Sequence, residues 1–201
     1  TNNGTISRWC LGIQELLSEY STNMKIKSAF SHKEKACGLD FTVLLSNDKN
    51  ECFLLESKFK QKEKLEKIPQ MKDKGVIDIF KVILSDDDIF IAYKDGAILK
   101  RNRKNFNDSS VIKVADIGDG FADFSVSEDG KIIVVCPLNK KPQLFTAHLD
   151  DHNKYECIII DEIEKGVACM AHTNCVCNEI CFLIGDKNGS VFLFSQNYGK
   201  K

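Results

Sequence analysis

The amino-acid sequence predicts an all-β fold built from repeated antiparallel units. Two series of short apolar segments recur along the chain at nearly constant spacing, and clusters of Asp, Asn, Gly and Ser separate them. A constant period of roughly 20 to 50 residues is typical of a repeat architecture. Short, evenly spaced strands between turn residues are typical of antiparallel all-β structure. We therefore expect consecutive small sheets.

The first series consists of strand segments centred on one apolar residue. Their centres follow one another at intervals of 47, 45, 46 and 47 residues, and they are Ile6, Phe53, Ile98, Leu144 and Val191. The last segment, Asn-Gly-Ser-Val-Phe-Leu-Phe at 188–194, repeats the pattern Asn-Gly-Thr-Ile-Ser-Arg-Trp at 3–9. We interpret these segments as outer strands within a single domain, 1–201, divided into units of approximately 1–14, 15–60, 61–105, 106–150 and 151–201.

The second series consists of alternating strands that open after a glycine. These strands begin at Val76, Phe121 and Val167, at intervals of 45 and 46 residues. A second apolar strand is predicted to follow each of them, at 89–93, 131–136 and 180–184. Each unit therefore contains several short strands joined by polar turns.

The first quarter of the chain has two possible interpretations. Trp9, Ile13, Leu16, Leu17 and Tyr20 have the spacing of a buried helical stripe. However, Gly12 inside such a helix would cost about 1 kcal/mol relative to alanine. An outer strand, a polar link and the inner strand of the next unit also recur at 53–68, 98–116 and 144–160. We therefore predict strands at 4–9 and 15–20.

This pattern resembles that of WD-repeat β-propellers, in which each unit of roughly 40 to 45 residues forms a four-stranded blade. Ser-Glu-Asp-Gly-Lys at 127–131 resembles the turn between the two middle strands of such a repeat, and 3–9 resembles its closing strand. No unit ends in Trp-Asp, and no Gly-His pair opens one. The resemblance implies a β-propeller-like fold of consecutive four-stranded antiparallel blades with a repeat of about 46 residues.

The repeat length also bears on completeness. Units of about 46 residues divide the 201 residues into roughly four and a half blades. The strand at 1–9 would then be a surplus outer strand with unpaired edges. We therefore expect the remaining blades to lie in sequence outside these residues or in a partner chain.

Composition excludes several classes of protein. The formal net charge of −1 provides no general attraction to nucleic acid or to anionic membranes. The nine cysteines are irregularly spaced, which favours reduced thiols in an intracellular protein, cytoplasmic or nuclear, over a disulfide framework. Apolar runs such as 132–136 have the length of a strand, so no membrane span is expected.

A cysteine-rich segment is the densest group of potential metal ligands. It contains Cys169, His172, Cys175, Cys177 and Cys181, and its Cys-x2-His-x2-Cys spacing could suit zinc. Structural zinc sites usually combine two such short pairs, and only one cluster is present. Small thiols also pack well as apolar groups in a middle strand. We therefore favour buried or loop thiols, and we expect neither a metal nor another cofactor.

Two basic stretches could contact phosphate groups. They cover 58–74 and 99–104, and we interpret both as solvated loops between strands because acidic residues interrupt the first and few aromatic residues accompany either. Nucleic-acid binding through these loops remains the alternative function. The acidic run 86–88 lacks the spacing of a calcium loop and is expected to form a turn.

No nucleophile motif or phosphate-binding glycine loop occurs in the sequence, and none of the four histidines lies in a recognisable catalytic setting. We therefore predict a non-enzymatic scaffold that binds other proteins within a larger polypeptide or complex, because propeller blades present variable loops on a rigid frame. Candidate contact residues, chosen because exposure was expected, are Arg101, Arg103 and Phe106.

Overall fold

The computed structural model confirms the all-β prediction. It describes residues 4–10, 14–32, 41–57, 62–69, 78–114, 117, 119–148, 151, 153–161, 163, 167–174 and 180–196. Seventeen strands occur in these ranges, and every pairing between them is antiparallel. The chain divides into two compact units, residues 1–76 and 77–201.

The first unit contains two sheets. The smaller sheet pairs β1 (Thr5–Cys10) with β2 (Glu15–Ser21). The strands predicted at 4–9 and 15–20 are therefore confirmed, and these residues do not form the alternative helix. The larger sheet has four strands in chain order: β3 (Ile26–His32), β4 (Phe41–Asn47), β5 (Cys52–Ser57) and β6 (Lys64–Ile68). The core of this unit has Val43, Leu45 and Leu55 at its centre, and Ile6 and Tyr20 of the smaller sheet pack against it.

The second unit contains three consecutive sheets. The first consists of β7 (Ile79–Leu84), β8 (Asp88–Tyr93), β9 (Ala97–Asn102) and β10 (Ser109–Lys113). The second consists of β11 (Phe121–Val126), β12 (Ile132–Pro137), β13 (Gln143–Ala147) and β14 (Tyr155–Ile159). The third has β15 (Val167–Asn174), β16 (Ile180–Asp186) and β17 (Val191–Gln196).

Burial explains why the second strand of each complete sheet is strongly apolar. β4, β8 and β12 are flanked by strands on both edges, and almost all of their residues are buried. Strands covered on both faces are continuous apolar runs rather than alternating ones. This accounts for sequences such as Ile-Ile-Val-Val-Cys at 132–136.

Several predicted strand positions are confirmed. Phe121 and Val167 open β11 and β15, and the second apolar strands coincide with β8, β12 and β16. Val76 lies outside the described residues. The acidic run forms the turn between β7 and β8, where the backbone N–H of Ser85 donates to the carbonyl of Asp88 at 2.9 Å.

The assignment of inner strands is wrong. β2, β6, β10 and β14 were expected to begin the following units, but each pairs with the strand that precedes it in the chain. Links of only four to seven residues favour such an antiparallel return. The strands centred on Phe53, Ile98 and Leu144 are consequently third of four rather than outermost. The division of the sequence into five units remains a prediction.

The similarity between the two ends of the chain extends to backbone conformation. Gly4 has a φ of 71° and lies directly before Thr5, the first residue of β1, whereas Gly189 has a φ of 88° and lies two residues before Val191, the first residue of β17. Asn50 and Gly96 adopt the same left-handed conformation before β5 and β9. A three-residue hairpin loop that ends in a left-handed residue favours Gly or Asn there. At Asn50, Gly96 and Gly189, each in a loop that joins two paired strands, the recurring turn residue therefore has a common structural cause.

Candidate functional site

A polar cleft between two consecutive sheets of the second unit is a candidate site. It lies between the sheets β7–β10 and β11–β14 and has a volume of about 470 Å³. Turns and strand ends from both sheets line it, and the lining residues are Asp87, Asp88, Lys100, Asn102, Asp108, Asp129, Gly130, Lys131, Ala147, Asp151 and Asn153. Its walls therefore belong to hairpins that the rigid sheets hold in place.

A buried ion pair forms the floor of the cleft. Lys100 in β9 is only 5% exposed, and its Nζ lies 3.2 Å from Oδ2 of Asp88, at the start of β8. The two strands are neighbours, because Lys100 pairs with Phe90 and Asp88 with Asn102. Burial raises the pKa of Asp88 despite the attraction of Lys100. The floor is therefore charged but largely removed from water.

Tyr155 of β14 connects the floor to the opposite wall. The Lys100 Nζ lies 5.5 Å from the centre of the Tyr155 ring, within the range of a cation–π contact. The Tyr155 hydroxyl donates a hydrogen bond to the carbonyl oxygen of Gly130 at 2.8 Å. Lys100 is thus enclosed by residues of both sheets.

Gly130 allows the two sheets to approach each other closely. Its φ is 71°, and a Cβ atom placed there would lie 3.1 Å from Ser85 Oγ and 3.4 Å from Asp88 Oδ2. The turn 127–131 was identified from the sequence as a repeat signature. The structure adds that this turn packs against the acidic turn of the preceding sheet, where the N–H of Asp86 donates to the carbonyl of Glu128 at 2.7 Å.

The carboxylates at the rim mainly stabilise their own loops. Asp129 Oδ1 accepts hydrogen bonds from Ser127 Oγ at 2.6 Å and from the Lys131 N–H at 3.1 Å. Asp151 accepts from the Asn153 N–H at 3.0 Å, which lowers its pKa, and it pairs with Lys154 at 3.3 Å. Such exposed ion pairs contribute little to stability. Their effect is to fix the shape of the rim.

The predicted contact residues lie near this cleft but differ in exposure. The expectation that Arg101 is exposed is wrong: it is 8% exposed, because β9 is flanked by Ile89 of β8 and Ser109 of β10. Burial lowers its pKa, and its guanidinium donates to the carbonyl of Phe106. Arg103 and Phe106 are half-buried in the link between β9 and β10. No finding tests binding by these three residues.

The two basic stretches are not simple solvated loops. Residues 99–102 of the second stretch belong to β9, where Lys100 and Arg101 are both buried. The first stretch includes the edge strand β6, while residues 58–61 and 70–77 lie outside the described residues. β9 is buried at five consecutive positions, from Ala97 to Arg101, so its charged residues have no polar face that could have indicated the floor residue Lys100 in the sequence.

The cysteine-rich segment is only partly described. Cys169 and His172 lie in β15, their side chains are outside the described residues, and Cys175 and Cys177 lie wholly outside them. Cys181 is buried in the middle strand β16, as expected for a thiol that packs as an apolar group. Within the described ranges, no group of three or more His, Cys, Asp or Glu side chains could hold a metal ion.

Comparison with known proteins identifies the fold. Neither a family model nor a curated protein matches the sequence. BBS1N, in a crystal structure of its complex with ARL6DN, matches 98% of this chain with a TM-score of 0.67 and 6% identity. The β-propeller domain of Myceliophteria thermophila Cps50 (Swd1) matches the whole chain, 100%, with a TM-score of 0.61 and 11% identity.

A third structure comes from an enzyme. The dihydro-heme d1 dehydrogenase NirN, in complex with DHE, matches 98% of this chain with a TM-score of 0.60 and 13% identity. The chain spans 60% of BBS1N, 68% of the Cps50 domain and 41% of NirN. Together with the consecutive four-stranded sheets, these matches show that the chain has a β-propeller fold. At these identities they show the fold alone.

Proposed function

We propose that this protein is a non-catalytic scaffold that binds other proteins as part of a larger propeller or multiprotein complex. The observation that carries the proposal is the cleft between β7–β10 and β11–β14, whose walls are turns fixed by the buried Lys100 and Asp88 pair. Loops held on rigid sheets are the usual location of recognition residues. The fold and the cleft are thus suited to binding a protein surface.

The structural relatives support a protein partner in general terms. BBS1N was solved in a complex with ARL6DN, and Cps50 has the same fold. The match to NirN shows that the fold also occurs in an enzyme, so the fold does not decide whether the role is catalytic. We infer a non-enzymatic role, and we place the protein in the cytoplasm or nucleus because of its unpatterned cysteines.

Nucleic-acid binding is not favoured by a specific observation. In the second basic stretch, 99–104, the side chains of Lys100 and Arg101 are buried rather than exposed on the protein surface. Burying these two cations removes them from phosphate contacts, which require accessible Lys or Arg side chains.

No helix in the described ranges is long and apolar enough to cross a membrane.

A charge reversal at the rim of the cleft tests the proposal. Asp108 is exposed in the link before β10, so Asp108→Arg alters the cleft surface without disturbing the core. Partners cross-linked to the purified chain would be identified by mass spectrometry, and their affinity would then be measured with this variant. The matched control is Glu156→Arg on β14, an exposed acidic residue outside the cleft.

We expect Asp108→Arg to change the dissociation constant for the partner by tenfold or more and Glu156→Arg to leave it within twofold. Equal effects of the two variants would exclude the cleft as the contact surface. Absence of any saturable protein partner would contradict the scaffold function itself.

A further inference from the structure

The turn between β16 and β17 carries an Asn-Gly pair at its tip. Asn188 and Gly189 are both exposed, and Gly189 has a φ of 88°. Within the described ranges, Asn188 is the only asparagine that a glycine follows. Glycine has no Cβ atom, so its backbone nitrogen is less shielded than that of any other residue. This nitrogen is therefore open to reaction with the side chain of the preceding asparagine.

The hydrogen bonds around Asn188 restrain this pair only weakly. The Gly189 N–H donates to the carbonyl of Asp186 at 3.3 Å, whereas in the equivalent turn between β8 and β9 the Gly96 N–H donates to the carbonyl of Tyr93 at 3.0 Å. The longer bond is the weaker one. The Asn188 N–H donates to Asp186 Oδ1 at 2.9 Å, but no described residue hydrogen-bonds to the side-chain amide of Asn188. This amide can therefore turn toward the backbone of Gly189.

Packing distinguishes Gly189 from Gly4, the other glycine that follows an asparagine in the sequence. A Cβ atom at Gly189 would meet nothing within 4 Å, whereas one at Gly4 would lie 2.0 Å from the Met24 carbonyl oxygen. Gly4 is buried, and its carbonyl accepts hydrogen bonds from the N–H of Thr22 at 3.0 Å and from Thr22 Oγ1 at 2.7 Å. The backbone at Gly189 can thus rearrange without displacing a neighbour, while the backbone at Gly4 is held in place.

From these observations we propose that Asn188 is a site of spontaneous deamidation. The backbone nitrogen of Gly189 attacks the side-chain carbonyl carbon of Asn188 and loses its proton, while the bond to the side-chain nitrogen breaks and ammonia leaves. The cyclic succinimide that results then takes up one water molecule. Opening at the side-chain carbonyl gives aspartate, and opening at the main-chain carbonyl gives isoaspartate, in which the backbone runs through the former side chain. This modification is independent of the proposed scaffold function.

The two products should affect the turn differently. The equivalent turn between β8 and β9 has the sequence Lys-Asp-Gly at 94–96, so aspartate in place of Asn188 repeats a turn that the chain already contains. Isoaspartate instead adds one carbon atom to the backbone of the turn. The Asp186 N–H donates to the carbonyl of Ser190 at 2.9 Å across this turn, and a longer link misaligns the two groups. We therefore expect isoaspartate, but not aspartate, to loosen the β16–β17 hairpin.

Peptide mapping by mass spectrometry during incubation of the 201-residue chain at pH 8 would test the proposal, with enzymatic methylation of isoaspartate to identify that product. We expect Asn188 to deamidate at least tenfold faster than Asn3, which lies outside the described residues but precedes the buried Gly4. In denaturant the two asparagines should react at similar rates. Gly189→Ala should slow the reaction at Asn188 at least tenfold, because the added methyl group shields the nitrogen and meets no neighbour that would prevent folding.

An Asn188 that deamidates no faster than Asn3 in the folded chain overturns the proposal, as does an undiminished rate in Gly189→Ala. Amide exchange of Asp186 tests the effect on the hairpin, with Asn188→Asp as the control that has the charge without the extra backbone atom. Exchange should be faster in the chain that contains isoaspartate than in Asn188→Asp. Equal exchange in the two chains would contradict the expected loosening.

Discussion

Lys81 and Asp123 connect the first strands of two consecutive sheets. The Lys81 Nζ in β7 lies 2.6 Å from Asp123 Oδ1 in β11, and it also donates to the Phe124 carbonyl at 3.0 Å. Asp123 Oδ2 accepts a hydrogen bond from the Met170 N–H of β15 at 3.0 Å. One carboxylate therefore links β7, β11 and β15, the opening strands of all three sheets in the second unit.

Replacing Asp123 by alanine should destabilise the second unit substantially. The substitution leaves the Lys81 ammonium and the Met170 N–H without their acceptor, and the Asp123 side chain is only 16% exposed. We expect the free energy of unfolding to fall by about 3 kcal/mol, which is typical of breaking a partly buried, charge-assisted hydrogen-bond network. Urea unfolding followed by circular dichroism would measure it.

The matched control for this prediction is Asp161→Ala. Asp161 also pairs with a lysine, at 2.8 Å from Lys141 Nζ, but its side chain is 79% exposed. Its removal should cost less than about 1 kcal/mol. Equal losses for the two variants would show that Asp123 does not act as a link between sheets.

The sequence predicts the repeat but not the strand pairing. The regular spacing of Ile98, Leu144 and Val191 reflects a real equivalence, because these residues all lie in the third strands of their sheets. The spacing is the same whether a following strand closes one sheet or opens the next. Only the hydrogen bonds of β6, β10 and β14 with the preceding strands distinguish the two arrangements.

The candidate site was harder to predict for a related reason. Asp88 and Lys100 belong to an acidic run and a basic run, each of which would normally be solvated. Their burial depends on the register of β8 with β9 and on the approach of Gly130 from the next sheet. A single sequence contains no direct record of such contacts between sheets.

Gly4 and Gly189 should respond differently to the same substitution, although both have a positive φ shortly before a strand. A Cβ atom at Gly4 would lie 2.0 Å from the Met24 carbonyl oxygen, whereas one at Gly189 would have no neighbour within 4 Å. Gly189→Ala should therefore lower the free energy of unfolding by only about 1 kcal/mol, because alanine is less stable in the left-handed conformation. Gly4→Ala should lower it by at least about 2 kcal/mol more, because the backbone near Met24 must move to make room for the Cβ atom.

Urea denaturation of the two glycine variants, compared with the unmodified chain, would provide these differences. Thr22 Oγ1 donates to the Gly4 carbonyl at 2.7 Å, so the shift at Gly4 would also disturb this buried hydrogen bond. A Gly189→Ala loss as large as that of Gly4→Ala would contradict the close packing around the first turn.

The described cysteines should differ in reactivity toward a maleimide under native conditions. Cys52, Cys136 and Cys181 are buried, and burial raises the pKa of Cys52 to about 12. Cys157 is exposed on β14, although partial desolvation raises its pKa as well. Since the thiolate is the reacting species, Cys157 should be labelled much faster than Cys52 at pH 8.

Peptide mapping by mass spectrometry after brief labelling would establish the order. In denaturant, Cys52 and Cys157 should react at similar rates, which serves as the control. Rapid native labelling of Cys52 would mean that β5 opens far more readily than its buried position indicates.

Acid should reduce the stability of the first unit through Glu51. Its carboxylate pairs with Lys67 and accepts a hydrogen bond from Asn47 Nδ2 at 2.8 Å, and these contacts lower the pKa of Glu51 below its usual value. A carboxylate whose pKa is lowered by folding stabilises the folded state above its unfolded pKa, and this contribution is lost as the pH falls through the folded pKa. We therefore expect Glu51→Gln to lower the melting temperature at pH 7 and to have little effect at pH 3.

Glu156→Gln on the exposed strand β14 is the control, and thermal melts between pH 3 and pH 7 provide the comparison. A Glu51→Gln effect that is the same at both ends of this range would show that the carboxylate charge does not contribute to the stability of the turn before β5.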